Sequence, residues 1–133
     1  CCKAVIPLIK EKKYGLIINV SSWSGNHVSL LSGVSYTSSK HALNAMTETI
    51  NMKYCNLGIR ATALCPGEVA TPILDKRPKK LSIEQKNKML QPDDLGQTIV
   101  FLCQMPKHVC INELTISPTW HRRYIADLGI EEL

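Results

Sequence analysis

Residues 16–40 read LIINVSSWSGNHVSLLSGVSYTSSK, and the change of texture along this stretch decides the fold. Residues 16–20 form a short, continuous apolar run, rich in β-branched side chains and bounded by Tyr14-Gly15 and Ser21-Ser22. Such a run suits a strand covered on both faces, as in a parallel sheet. Small and polar residues fill 21–35, a loop whose length points to function rather than simple connection. A helix then opens at Ser35 and carries Tyr36 and, one turn later, Lys40. Spaced i and i+4, these two side chains share one helix face.

Outward from this stretch, the same alternation continues. Upstream, CCKAVIPLIKEKK reads as the end of an amphipathic helix, with Ala4, Val5, Leu8 and Ile9 as its apolar stripe and Pro7 as a weak point. Its basic tail suits a helix C-terminus, and Tyr14-Gly15 stops it. Downstream, the Tyr36 helix runs to about Leu57 with Gly58 as its cap. Leu43, Met46, Ile50 and Tyr54 line one of its faces, and Ala42, Ala45 and Thr49 make a flatter one. Residues 59–65 read as a second buried strand, ended by Pro66-Gly67. Residues 68–91 are irregular, with a short polar helix at 82–90. Pro92-Asp93-Asp94 opens another helix, its acidic residues suited to an N-terminus; it buries Leu95, Ile99, Phe101 and Leu102 and stops near Pro106. Residues 109–116 read as a third strand, and the tail from Ser117 as loop with a weak last turn. Helices alternating with strands imply an α/β fold with right-handed crossovers and a parallel sheet covered on both faces.

The 133 residues suffice for one modest unit with a core, and 44% hydrophobic with 20% charged residues excludes disorder as the global state. The net charge of +5 is concentrated in Lys76-Arg77-Pro78-Lys79-Lys80. With two Trp, four Tyr and one Phe in the whole chain, that run lacks the interleaved aromatics of a nucleic-acid surface and reads as a solvated loop. Six cysteines form no CxxC, and with four histidines they give no metal-type spacing, so no metal is expected. Most sit among apolar neighbours and read as buried free thiols in a reducing, cytoplasmic setting. No run approaches the ~18 apolar residues of a membrane helix. No signal peptide is visible, and a chain beginning Cys1-Cys2 suggests that its true N-terminus lies elsewhere.

Ser21-Ser22 and Pro66-Gly67 end consecutive strands and so point to the same sheet edge, where doubly wound sheets bind their ligands. The Tyr36 and Lys40 pair is suited to proton transfer there. An ammonium about 5 Å from a phenol, at an effective dielectric of about 20, favours the phenolate by roughly 3 kcal/mol. A tyrosine so placed can give a proton to a developing alkoxide or take one from an alcohol. A serine hydroxyl at the strand end can hold the same oxygen.

These motifs together resemble the short-chain dehydrogenase/reductase family. They are Asn19-Val20-Ser21-Ser22 at a strand end, Tyr36-Thr37-Ser38-Ser39-Lys40 about 14 residues on, and Pro66-Gly67-Glu68-Val69-Ala70-Thr71 about 30 further. The resemblance runs through nearly the whole chain. It implies that Ser22 orients the substrate, with Ser21 as a rival, because the distance to Tyr36 is one residue longer than the usual family spacing. It implies Tyr36 as acid/base and Lys40 as the residue that holds the nicotinamide ribose and favours the phenolate. Gly67 and Val69 match the turn against the nicotinamide, and Thr71 the contact to its carboxamide or the phosphates. The implied cofactor is NAD or NADP, and the implied activity is interconversion of a secondary alcohol and a ketone. The stretch from Pro106 to Leu114, with Pro118-Thr119, is similar to members acting on small 3-hydroxy acids such as serine; a 3-oxoacyl reductase is the rival class.

Two family features have no counterpart. The seven glycines never form the Gly-rich pyrophosphate turn, and residues 1–18 contain no asparagine to match the family's active-site one. The expectation is therefore that 1–133 is a single partial domain, the C-terminal half of a Rossmann-type doubly wound sheet, from an enzyme roughly twice as long. The alternative is a non-catalytic fragment or binding module that cannot bind the dinucleotide by itself. Trp23, His27 and Glu68 are candidates to line a substrate pocket, against loop packing for Trp23 and solvent for the other two. Trp120, His121, Arg122 and Arg123 are candidates to close over the site from the tail. Ala42, Ala45 and Thr49 are candidates for a homo-oligomer interface by family analogy. No nucleic-acid or membrane partner is expected.

Overall fold

Strand β1 (Gly15–Val20) pairs in parallel with β2 (Ile59–Pro66), and β2 pairs in parallel with β3 (Glu113–Ile116), in the order β1-β2-β3. The structure is a computed structural model and describes residues 1–28, 31–77 and 80–130. Helix α1 (Cys2–Lys12) precedes β1, and α2 (Val34–Tyr54) crosses from β1 to β2. The short α3 (Ile83–Asn87) and α4 (Pro92–Gln104) lie between β2 and β3, and α5 (Arg122–Asp127) follows β3. The expected α/β alternation is present, and three parallel strands alternating with helices make this a partial Rossmann-type sheet.

Side chains of β2 alternate between faces and divide the layers. Ile59 and Ala61 join Ile6 of α1 and Ile50 of α2 in one apolar cluster. Arg60, pointing the other way, reaches the C-terminal end of α4. Only β2 is buried along its whole length; β1 is half-buried and β3 alternates between exposed and half-buried. The expectation that the first strand is covered on both faces is therefore corrected: none of the six residues of β1 is fully buried, and Val20 at its end is 50% exposed.

Several local expectations also shift, each for a visible reason. Helix α1 ends at Lys13, which takes the left-handed conformation at φ 51°, whereas Gly15 already belongs to β1. Glycine is needed at 15 because a Cβ there would sit 2.1 Å from Ile9 Cγ2. On α2, Met46 is 41% exposed and Thr47 takes the buried position, its hydroxyl accepting from Asn19 Nδ2 at 2.9 Å. On α4, Leu102 is buried but Phe101 is 45% exposed. The expected helix at 82–90 ends at Asn87, after a capping box closed by Ser82 and Gln85, and Leu90 instead bridges to Val69.

The third strand begins at Glu113 rather than at 109 because side chains replace it as β2's partner. Asn51 on α2 accepts from the Ala61 amide at 2.6 Å and donates to the Ala61 carbonyl at 2.8 Å. Arg60 donates to the carbonyls of Pro106 at 2.9 Å and Val109 at 2.6 Å. The tail is not plain loop, since α5 occupies 122–127. The cysteines do not follow the buried-thiol reading: Cys65 is buried, Cys2 half-buried, and Cys1, Cys55, Cys103 and Cys110 are exposed. No described helix is long and apolar enough to cross a membrane. Among the described residues no group of His, Cys, Asp or Glu is arranged to hold a metal ion.

Candidate active site

The C-terminal ends of the three strands meet at one edge. Ser21 N–H donates to the Leu64 carbonyl at 2.7 Å, and Gly67 N–H to the Ile116 carbonyl at 2.7 Å. The chain leaves each strand into a loop, and the three loops enclose a cavity of about 440 Å³. Ser22, Trp23 and Tyr36 contribute from the first crossover, Gly67, Glu68, Val69 and Thr71 from the turn after β2, and His121 and Arg123 from the tail. Of the sequence-derived site residues, Ser22, Trp23, Tyr36, Gly67, Glu68, Val69, Thr71, His121 and Arg123 line this cavity, whereas Ser21, His27, Lys40, Trp120 and Arg122 are not among its lining residues.

Ser21 and Ser22 divide their work. The buried Ser21 donates from Oγ to the Lys40 carbonyl at 3.3 Å, which ties the loop to α2. Ser22 is extended, and its Oγ accepts from Ser24 N–H at 3.1 Å, capping a 3-10 turn at Trp23–Gly25. A hydroxyl that accepts a backbone N–H keeps its own proton to donate. The turn packs so closely on α2 that a Cβ on Gly25 would sit 2.7 Å from Asn44 Nδ2 and 2.8 Å from Ser21 Oγ. Farther along, Ser24 and Ser32 join hydroxyls at 2.7 Å across the loop.

Tyr36 stands in the first turn of α2, whose N-cap, Gly33, holds φ at 74°. Tyr36 is 45% exposed, and its hydroxyl has no hydrogen-bond partner among the described residues. Lys40 lies behind it: the ammonium is 5.6 Å from the ring centroid and donates to the Val20 carbonyl at 3.1 Å. Two of the three ammonium donors are thus left over. Thr71 precedes a 3-10 turn at Pro72–Lys76 without capping it through its side chain, so its hydroxyl is uncommitted there.

Glu68 is neither solvated nor an open substrate ligand. Arg122 grips it with two nitrogens, Nε donating to Oε2 at 2.6 Å and Nη2 to Oε1, and Arg77 adds a bond to Oε1 at 3.3 Å. Burial works against its charge, but the hydrogen bonds and charges of Arg122 and Arg77 prevail and hold the carboxyl below the ordinary range. Arg77 therefore leaves the solvated basic run in which the sequence places it; residues 78 and 79 of that run lie outside the described residues.

Trp23 is buried and stacks on the exposed His27 at a centroid distance of 4.0 Å. His121 lies 5.1 Å from Trp23 and 4.2 Å from Tyr124, and Arg123 sits over Trp23 at 5.2 Å. Burial, followed by the charges of Arg123 and His27, depresses the His121 pKa despite the opposing pull of Glu68. Of the tail candidates, His121 and Arg123 reach the cavity and Arg122 anchors it, whereas Trp120 lines a separate hollow beside α4 under Lys88. Sequence reasoning missed Arg77, Ser32 and the apolar pair Ile73 and Leu74. The only signal for Arg77 is that Glu68 is the sole acid between 59 and 74 and needs a cation.

The chain is similar to known proteins along most of its length. The family described as short chain dehydrogenase matches residues 1–82. An uncharacterized oxidoreductase of Staphylococcus saprophyticus is 32% identical over 115 residues, covering 86% of this chain and 47% of that protein. Among solved structures, a betaketoacyl-ACP reductase from Bacteroides thetaiotaomicron superposes with a TM-score of 0.72 at 32% identity, over 92% of this chain and 49% of that one. An alcohol dehydrogenase from Thermococcus sibiricus, complexed with 5-hydroxy-NADP, gives a TM-score of 0.73 at 26% identity, over 90% and 48%. The chain spans about half the length of the curated relatives it matches. With more than half of its residues matched by one family, the chain belongs to the short chain dehydrogenases.

Proposed function

We propose that this chain carries the proton-transfer half of an oxidoreductase site that interconverts a secondary alcohol and a ketone with NAD or NADP. The observation that carries the reading is that Ser22 and Tyr36 line one cavity while the Lys40 ammonium stands 5.6 Å behind the Tyr36 ring. The residues present suit a nicotinamide: the Thr71 hydroxyl does not cap the turn after it, and Gly67 and Val69 line the same cavity. When bound, the reduced nicotinamide supplies the hydride that reaches the carbonyl carbon.

The chain's own residues then handle the oxygen. Ser22, whose Oγ already accepts a backbone N–H, donates its hydroxyl proton in a hydrogen bond to the substrate oxygen and orients it. Tyr36 gives its phenolic proton to the same oxygen as negative charge develops there. Lys40 stabilises the phenolate left behind and uses its free donors on the nicotinamide ribose. Alcohol oxidation runs the same proton movement backwards. Trp23, His121 and Arg123 form part of the wall of this cavity.

The test uses the protein made from its complete reading frame. Ketone-dependent oxidation of NADH or NADPH is expected, and Lys40→Met lowers both turnover and cofactor affinity. No oxidation with any of a broad ketone panel, and none in reverse with the matching alcohols, contradicts the reading.

A further inference from the structure

The turn that presents Ser22 is too short to hold itself in place. It spans three residues, Trp23–Gly25, with Ser22 at its start and Asn26 at its end. A 3-10 turn of that length makes few hydrogen bonds of its own, and their geometry is poor. Its start is tied to α2 by Ser21, whose Oγ donates to the Lys40 carbonyl at 3.3 Å. At its end, the Asn26 N–H closes the turn on the Trp23 carbonyl at 3.1 Å, and the Asn26 side chain reaches out to two other elements.

Those side-chain bonds run in a fixed direction. Asn26 Nδ2 donates to Glu113 Oε1 at 2.5 Å and to Thr115 Oγ1 at 3.5 Å, both on β3. Asn26 Oδ1 accepts from Asn44 Nδ2 on α2 at 2.7 Å. A carboxylate only accepts, so Glu113 fixes which end of the Asn26 amide faces β3 and leaves the oxygen for Asn44. Glu113 enters no ion pair among the described residues, and its charge is met by the Asn26 amide. The turn rests directly on Asn44, because a Cβ on Gly25 would lie 2.7 Å from the same nitrogen. Asn44 is held from the sheet side by the buried Cys65, whose Sγ lies 3.5 Å from Nδ2. Asn44 and Tyr36 share α2, about 12 Å apart along its axis at 1.5 Å per residue. Both ends of the Ser22 turn are therefore registered to the helix that carries Tyr36. Asn26 and Glu113 are exposed, and a solvated hydrogen bond adds little to stability, so the bridge is better explained by placement than by cohesion.

We propose that Asn26, Asn44 and Glu113 are positioning residues, a strut from β3 to α2 that sets the Ser22 hydroxyl at its working distance from Tyr36. None of the three touches the substrate; they act through the turn. The charge-assisted bond from Asn26 to Glu113 gives the strut its direction, and the bond from Asn44 gives it its register on α2. This inference rests on the function proposed above.

The experiment uses the protein from its complete reading frame, with a ketone that it reduces, at a temperature where every variant is folded. Asn44→Ala removes the donor to Asn26, and Asn26→Asp sets a carboxylate against Glu113. Each is expected to lower kcat at least about 10-fold with dinucleotide affinity unchanged, since a misplacement of about 1 Å can cost about 10²-fold. Adding Glu113→Gln to Asn26→Asp gives that carboxylate an amide donor and should restore kcat. In a Ser22→Ala background neither substitution should lower kcat further, whereas a role independent of Ser22 multiplies the losses. Unchanged kcat in both single variants, no rescue by Glu113→Gln, or losses that multiply with that of Ser22→Ala overturns the strut and leaves the proposed function standing. If the unaltered protein reduces no ketone, the proposed function fails, and hydrogen exchange of the Ser24 amide, which Ser22 Oγ protects, decides instead. Faster exchange in Asn44→Ala supports the strut, and unchanged exchange overturns it.

Discussion

Ser22 holds its proton in reserve because a backbone amide occupies its oxygen. Ser22→Ala should therefore lower kcat by about 10²-fold, the scale of one lost donor at a developing oxyanion, with cofactor affinity retained. Steady-state kinetics on the full-length protein checks this. Ser21→Ala should act differently: it frees the Lys40 carbonyl and loosens the loop, so it appears in thermal stability before kcat. Glu68 gives a pH signature. Its folded-state pKa lies below the ordinary carboxylate value of 4.5, so its contribution to stability is present above that value and is lost as pH falls below it. Proteolysis of the tail should speed up over that window, and Glu68→Gln should remove the dependence. The residues proposed to react were legible in the sequence because such chemistry fixes both residue type and spacing. Glu68 was not, because its partners, Arg77 and Arg122, stand 9 and 54 positions away, which no local pattern records.

Elements are held in place here by side chains that stand in for backbone. Asn51 takes over the Ala61 hydrogen bonds that a longer β3 would make. Arg60, 5% exposed, is a buried cation with no carboxylate beside it among the described residues. It is solvated instead by the carbonyls of Met105, Pro106 and Val109. The first of these lies where α4 ends, at the negative end of the helix dipole. Arg60→Met should cost roughly 2–4 kcal/mol, because it leaves those carbonyls unpaired, and denaturant unfolding of the full-length protein would measure it. The strands and helices were visible as alternating apolar runs and caps. The start of β3 was not: residues 109–112 have strand-like composition, but Asn51 takes both backbone groups of Ala61 and Arg60 holds the Val109 carbonyl, so regular pairing with β2 starts only where the Asn112 carbonyl accepts from Ala63 N–H. Phe101 misled for a related reason, since an apolar helix position tells nothing of which face meets the sheet.

At the scale of the molecule, the candidate site lies where the C-terminal ends of β1, β2 and β3 meet, and β1 has no partner strand on its other side among the described residues. The candidate site gathers one wall from each of the three strand ends, so the residues proposed for proton transfer all come from this chain. The glycine-rich turn for the pyrophosphate is not part of these 133 residues. Residues 1–133 alone are therefore expected to show no saturable binding of NADH or NADPH at low micromolar concentration, as read by fluorescence titration. Saturable binding would mean that the adenine half is dispensable for affinity. The family was legible from three short motifs, yet the tail wall was visible only as a cluster of basic and aromatic residues with no stated target. Its place follows from β3 delivering the chain to the same edge as Tyr36.

The central claim is that Tyr36 transfers the proton. The most direct measurement is turnover and cofactor binding of Tyr36→Phe, side by side with the unaltered full-length protein. The account predicts turnover reduced by about 10²-fold or more, the contribution of one positioned acid, with cofactor affinity nearly unchanged. Turnover that survives the loss of that hydroxyl would contradict it.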